Sequence, residues 1–112
     1  MLPSSESMEQ RGLLQWFHLK YSGVLIFHVP NGGFRDINTA RKLRAEGVVP
    51  GVPDLFIPAW HCFIEMKRVE GGKLSEEQVK IIEYLTRVGY TVIVGYGAED
   101  ASRKILEMRR GL

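Results

Sequence analysis

The stretch GVPDLFIPAWHCFIEMKR, residues 51 to 68, constrains the fold of this chain more than any other part of it. Two apolar runs, Asp54 to Ile57 and Cys62 to Lys67, are separated only by Pro58-Ala59-Trp60-His61, a linker short enough for a hairpin. They are therefore expected to pair as antiparallel strands. Each carries charge where a central strand ordinarily has none: Asp54 opens the first, and Glu65 and Lys67 interrupt the second. Burying unpaired charge is costly. Side chains alternate between faces along a strand, so Glu65 and Lys67 point one way while Ile64 and Met66 point the other. Taken alone, Glu65 and Lys67 read first as a plain salt bridge on a solvated face, since E-x-K is a common tripeptide. Pairing of the two strands brings Asp54 toward Glu65, and close carboxylates repel unless something positive lies between them. A divalent cation meets that need. Magnesium favours oxygen ligands, takes one or two carboxylates and keeps several waters, which makes Asp54, Glu65 and the Met66 backbone carbonyl candidate ligands. Such an ion can acidify a water and hold a phosphate oxygen while Lys67 stabilises or orients the attacking hydroxide, the chemistry of phosphodiester hydrolysis.

The flanking sequence supplies the rest of an α/β pattern. Leu13, Leu14, Phe17 and Tyr21 are spaced for one face of a helix over about Ser5 to Lys20. VLIFHV, residues 24 to 29, reads as a buried strand that ends at the turn signal Pro30-Asn31-Gly32-Gly33. A second helix is expected from Asp36 or Asn38 to Glu46, stopped by Gly47. Ser75-Glu76-Glu77-Gln78 is a capping box that opens a third helix reaching Val88, with Gly89 behind it. YTVIVGY, residues 90 to 96, is another strand, and Glu99 to Arg110 a closing helix. The order α β α β β α β α implies a central mixed sheet flanked by helices.

Composition narrows the class. A chain of 112 residues with 45 % hydrophobic and 25 % charged residues is expected to fold as one domain, residues 1 to 112, around an ordinary core. No apolar stretch approaches the roughly 20 residues of a membrane span, and the N-terminus lacks the pattern of a signal peptide. The expectation is a cytoplasmic protein with no membrane partner. The lone Cys62 fits a reducing compartment and reads as a small buried hydrophobe. A net charge of +2 says little about a nucleic-acid partner, but its distribution says more. Arg35, Arg41, Lys42 and Arg44 form one basic group, and Arg103, Lys104, Arg109 and Arg110 another. Either group is a phosphate-facing surface or a solvated helix face.

The motif order resembles the PD-(D/E)xK nucleases with the restriction-endonuclease-like fold, and within them the VRR-Nuc (virus-type replication-repair nuclease) domain. The resemblance rests on VPNGGFR (29 to 35), AxKLxAEGV (40 to 48), PGVPDLFI (50 to 57), FIEMK (63 to 67), KLSEEQ (73 to 78) and GYTVIVGYGAEDA (89 to 101). It implies a magnesium- or manganese-dependent DNA endonuclease without an organic cofactor, of the stand-alone phage or bacterial type, in a bacterial cell or phage-infected host. By position, Asp54 and Glu65 match the metal-binding acids, Lys67 the catalytic lysine, and Gln78 the glutamine on the following helix. Gln78 is also the capping-box residue, so two roles compete for one side chain. Helix one supplies a further acid in such folds, and the E-x-x-x-Q spacing favours Glu6 with Gln10 over Glu9. His28, Asn31, Gly32 and Arg35 around the glycine turn, with Arg41 and Lys42, are candidate DNA contacts; His28 also reads as a hydrogen-bonded core histidine. Domain-only members resemble junction-resolving enzymes, which implies a homodimer on branched DNA, its two-fold axis matching a four-way junction. Trp16, Phe34 and Trp60 are candidates either for the apolar surface such a dimer needs or for the core. A flap or duplex cutter using the same residues, or a non-catalytic DNA-binding subunit retaining the fold, are the alternatives.

Overall fold

A computed structural model describes residues 4–30 and 36–111. The elements follow in the order α1 (Glu6–Lys20), β1 (Phe27–His28), α2 (Ile37–Ala45), β2 (Leu55–Ile57), β3 (Cys62–Lys67), α3 (Glu76–Arg87), β4 (Thr91–Tyr96) and α4 (Ala98–Arg110), with a single 3-10 turn, Pro58–Trp60, between β2 and β3. This is the expected order. The hairpin forms as read, with Leu55 opposite Ile64 and Ile57 opposite Cys62. His61 closes it in the left-handed region at φ 47°, a conformation His tolerates better than most residues.

The sheet runs β1-β2-β3-β4, antiparallel between the first three strands and parallel between β3 and β4. Parallel neighbours need a long crossover, and α3 provides it. One face carries Leu55, Ile57, Cys62, Ile64, Met66 and Ile93, which pack on Leu13 and Phe17 of α1 and Ala101 and Ile105 of α4. Burying this set is the main drive to fold. Trp16, Tyr21 and Trp60 extend the core as an aromatic cluster around Phe17, and Arg109 stacks on Trp60 with its guanidinium 4.3 Å from the ring centre. The two tryptophans thus serve the core rather than an open apolar surface. Phe34 lies outside the described residues.

The reading of residues 24 to 29 as a buried strand is corrected. Only Phe27 and His28 pair, both are exposed, and Ile26 alone among their neighbours is buried. The strand is the edge of the sheet, so its apolar side chains have a partner on one side only, and Pro30 cannot extend the ladder. The other face carries a row of aromatic rings across the strands, Phe27, Phe56 and Phe63, with Tyr90 against the last two. Neither α2 nor α3 contains a fully buried residue.

Candidate active site

The charged residues of the hairpin converge as strand geometry requires. Asp54 lies immediately before β2, behind the buried Pro53, and its Oδ2 accepts the Met66 N–H at 2.8 Å. Its backbone carbonyl accepts the Val29 N–H at 2.7 Å and faces His28 Nδ1 at 2.9 Å. Asp54 is thereby pinned between β1 and β3. Glu65 and Lys67 emerge on the side of β3 opposite the core; Glu65 is only 2 % exposed and Lys67 7 %. The Lys67 ammonium stands 3.8 Å from Glu65 Oε2, within ion-pair range but beyond a good hydrogen bond.

Gln78 resolves the competition between its two expected roles by using both ends of one carboxamide. Its Oε1 accepts the Ser75 N–H at 2.8 Å, and Ser75 Oγ accepts the Gln78 N–H at 3.2 Å, completing the capping box. Its Nε2 donates to Glu65 Oε2 at 3.0 Å. The carboxamide orientation is dictated by its neighbours, because the backbone N–H needs an acceptor and the carboxylate a donor.

Glu65 remains under-compensated. Its Oε1 is buried and has no hydrogen-bond partner. Burial in the sheet pushes its carboxyl up to about 8; the Asp54 carboxylate adds to the shift, the Lys67 ammonium opposes it, and the Glu6 charge contributes a little more. A buried carboxylate beside a second carboxylate, with one oxygen unpartnered, is the environment a small divalent cation relieves. Among the described residues no group of three or more His, Cys, Asp or Glu side chains is arranged as a metal cage. Magnesium does not require one, since one or two carboxylates and waters suffice. Asp54 and Glu65 therefore fit the ion.

The remaining candidates separate clearly. Glu6 and Gln10 lie on one side of α1: the Glu6 charge is felt at Glu65, and Gln10 Nε2 lies 3.4 Å from His28 Nδ1. Glu9, in contrast, accepts the Ala98 N–H at 2.7 Å, and this bond holds its carboxyl below the ordinary range. It supplies the side-chain cap that Gly97 cannot give to α4. His28 is exposed rather than a core residue. Arg41 and Lys42 are exposed on α2 and take part in none of the ion pairs among the described residues. Asn31, Gly32 and Arg35 lie outside the described residues. In the C-terminal basic group, Arg103 pairs with Asp100 and Glu107, and Lys104 with Asp100 and the Val94 carbonyl, so these two brace α4. A cleft of about 410 Å³ lined by Glu9, Val69, Tyr96, Asp100 and Arg103 lies at the end of β4, but Glu9 and Asp100 in its wall are already committed. Sequence reading missed Glu9 as a cap and Gly51 as a close-packing position; the positive φ of Gly51, +94°, has no local signature beyond the glycine itself.

The fold is a mixed α/β sheet that brings two carboxylates and a lysine together on the face opposite the core, with a glutamine from the crossover helix. A solved structure described as a VRR_NUC domain protein superposes on this chain with a TM-score of 0.79 at 26 % identity, covering 96 % of this chain and 89 % of that one. This likeness over nearly the whole chain supports the VRR-Nuc resemblance of the sequence and, more coarsely, a nuclease domain. No family model and no curated protein matches its sequence. Among the described residues, no helix is long and apolar enough to cross a membrane.

Proposed function

We propose that the protein is a magnesium- or manganese-dependent, structure-specific DNA endonuclease of the Holliday-junction-resolving type, acting as a homodimer. The observation that carries this reading is the buried Glu65 carboxylate, one oxygen unpartnered, beside Asp54 and Lys67. Asp54 and Glu65 would hold the ion, with the Met66 carbonyl as a further candidate. Once bound, the ion supplies Lewis acidity to a water and to a phosphate oxygen. Gln78 fixes Glu65 through Oε2 and so keeps the other oxygen turned to the ligand. Lys67, almost buried, orients the attacking water and offsets negative charge building on the phosphate, an effect strengthened where water is excluded. Glu6 adds a third carboxylate at the rim.

Two surface features support the finer part of the proposal. Exposed Arg41 and Lys42 give α2 a basic face suited to phosphates. The aromatic row ending at Phe27, 43 % exposed, continues with Leu25, 62 % exposed, and gives the sheet edge an apolar surface that a second copy would cover. The test is cleavage, with magnesium or manganese, of a panel of four-way junction, flap, single-stranded and linear duplex DNA. The junction is expected to be cut, and Asp54→Asn and Lys67→Ala are expected to abolish cutting while retaining the fold and DNA binding. Cleavage of flaps or duplex alone would move the substrate assignment, whereas binding without cleavage of any substrate would contradict catalysis.

A further inference from the structure

Gly51 lies three residues before Asp54, at the start of the loop that carries it into β2. Its φ of +94° is a backbone conformation that an L side chain adopts only with strain. Space is as restrictive as the dihedral. A Cβ on Gly51 would lie 2.6 Å from both the carbonyl carbon and the oxygen of Glu77 and 2.9 Å from the Gln78 nitrogen. These are backbone atoms of the first turn of α3, which cannot swing aside as a flexible side chain could. The loop before Asp54 is therefore pressed against the turn that presents Gln78.

Both ends of this contact lead to Glu65. In one direction the loop runs through buried Pro53 to Asp54, whose Oδ2 is tied to the Met66 N–H next to Glu65. In the other, the Ser75 N–H holds Gln78 Oε1, which leaves Nε2 to donate to Glu65 Oε2. The Glu65 oxygen left over, Oε1, is buried without a partner.

We propose that Gly51 is a positioning residue: by letting the Asp54 loop close on the first turn of α3, it sets the Gln78 amide on Glu65 Oε2 and leaves Oε1 as the open ligand atom. The inference rests on reading Asp54, Glu65 and Gln78 as the nuclease centre. It adds that the register between the two strand acids and the glutamine is set by one close approach to backbone outside the acid and lysine set. A methyl group there presses on the first turn of α3, the turn that carries the 3.0 Å bond from Gln78 to Glu65.

The experiment compares wild type, Gly51→Ala and Gln78→Met by thermal melting and by kcat and KM on the DNA that the wild type cuts, and the first two also by the nitrogen-15 NMR signal of the Gln78 side-chain amide. In the metal-free wild type, the Gln78 amide protons are expected to exchange slowly and to be shifted from free-glutamine positions. In folded Gly51→Ala they should move to solvent-exposed values, with kcat lower by about tenfold or more and KM within about twofold. An unmoved amide signal, or a wild-type kcat, in folded Gly51→Ala overturns the proposal. If Gly51→Ala does not fold, the wild-type amide signal and Gln78→Met decide: methionine is uncharged and similar in length but cannot donate to Glu65, so the folded variant must lose kcat. Amide protons at solvent-exposed values in the wild type, or a wild-type kcat in Gln78→Met, overturn the proposal. Should the wild type cut none of the DNA substrates, the nuclease reading fails separately, and the amide signal still tests the positioning role.

Discussion

Glu65 concentrates the energetics of the site in one side chain. Its native carboxyl titrates above its ordinary value of 4.5, at about 8, because burial and the neighbouring Asp54 disfavour the charge. Between those values the folded state binds a proton that the unfolded state has released, so stability is highest on the acid side and declines as pH rises toward about 8. Metal-free protein is therefore expected to melt at progressively lower temperature across that window, and Glu65→Gln to lose most of the slope; a flat wild-type profile would contradict the buried charge. The two glutamates of α1 give a second prediction at this scale. Glu9→Ala removes the carboxylate on the α4 N-terminus and is expected to cost about 1 kcal/mol in denaturant unfolding while sparing cleavage. Glu6→Ala is expected to do the reverse. The sequence showed both acids near the start of one helix, and spacing favoured Glu6; what it could not show was that Glu9 meets a backbone 89 residues away. Gln78 was legible in the same partial way. Its spacing from Ser75 announced the cap, but only the fold reveals that the opposite end of the carboxamide is free to reach Glu65.

The elements divide by how local their causes are. β3 was readable to the residue because its alternation of apolar and charged side chains is a property of the segment itself. α3 was readable from its capping box, and its stability should depend on that cap. Ser75→Ala is expected to reduce stability by about 1 kcal/mol in denaturant unfolding, and an unchanged midpoint would contradict the cap's importance. β1 was misread because a run of β-branched and apolar residues looks the same at a sheet's edge as at its centre. Its position is decided by strand order, which depends on contacts between segments distant in sequence. The same limit applied to α2: alanine, arginine and lysine predicted a helix, but not that it would bury none of its side chains.

At the scale of the whole molecule, one face of the sheet is spent on the core and the opposite face is shared between the acid site under α3 and an open aromatic edge. This division places the proposed chemistry and the proposed dimer contact on one continuous sheet without either intruding on the packed layer. Phe27→Glu, which puts a charge into that edge, is expected to shift the protein from dimer to monomer in sedimentation while leaving its melting temperature nearly unchanged; a wild type that is already monomeric at micromolar concentration would contradict the dimer. The central claim is that the acids of the hairpin are a cation site rather than a tolerated defect in the core. Melting of wild type and Glu65→Gln near pH 8, in chelator and in millimolar magnesium, tests it directly. In chelator the glutamine variant is expected to be the more stable of the two, since it removes a buried charge, and magnesium is expected to raise the melting temperature of the wild type by several degrees while leaving the variant where it was. A wild type that ignores magnesium, or an equal response from both proteins, would contradict the account.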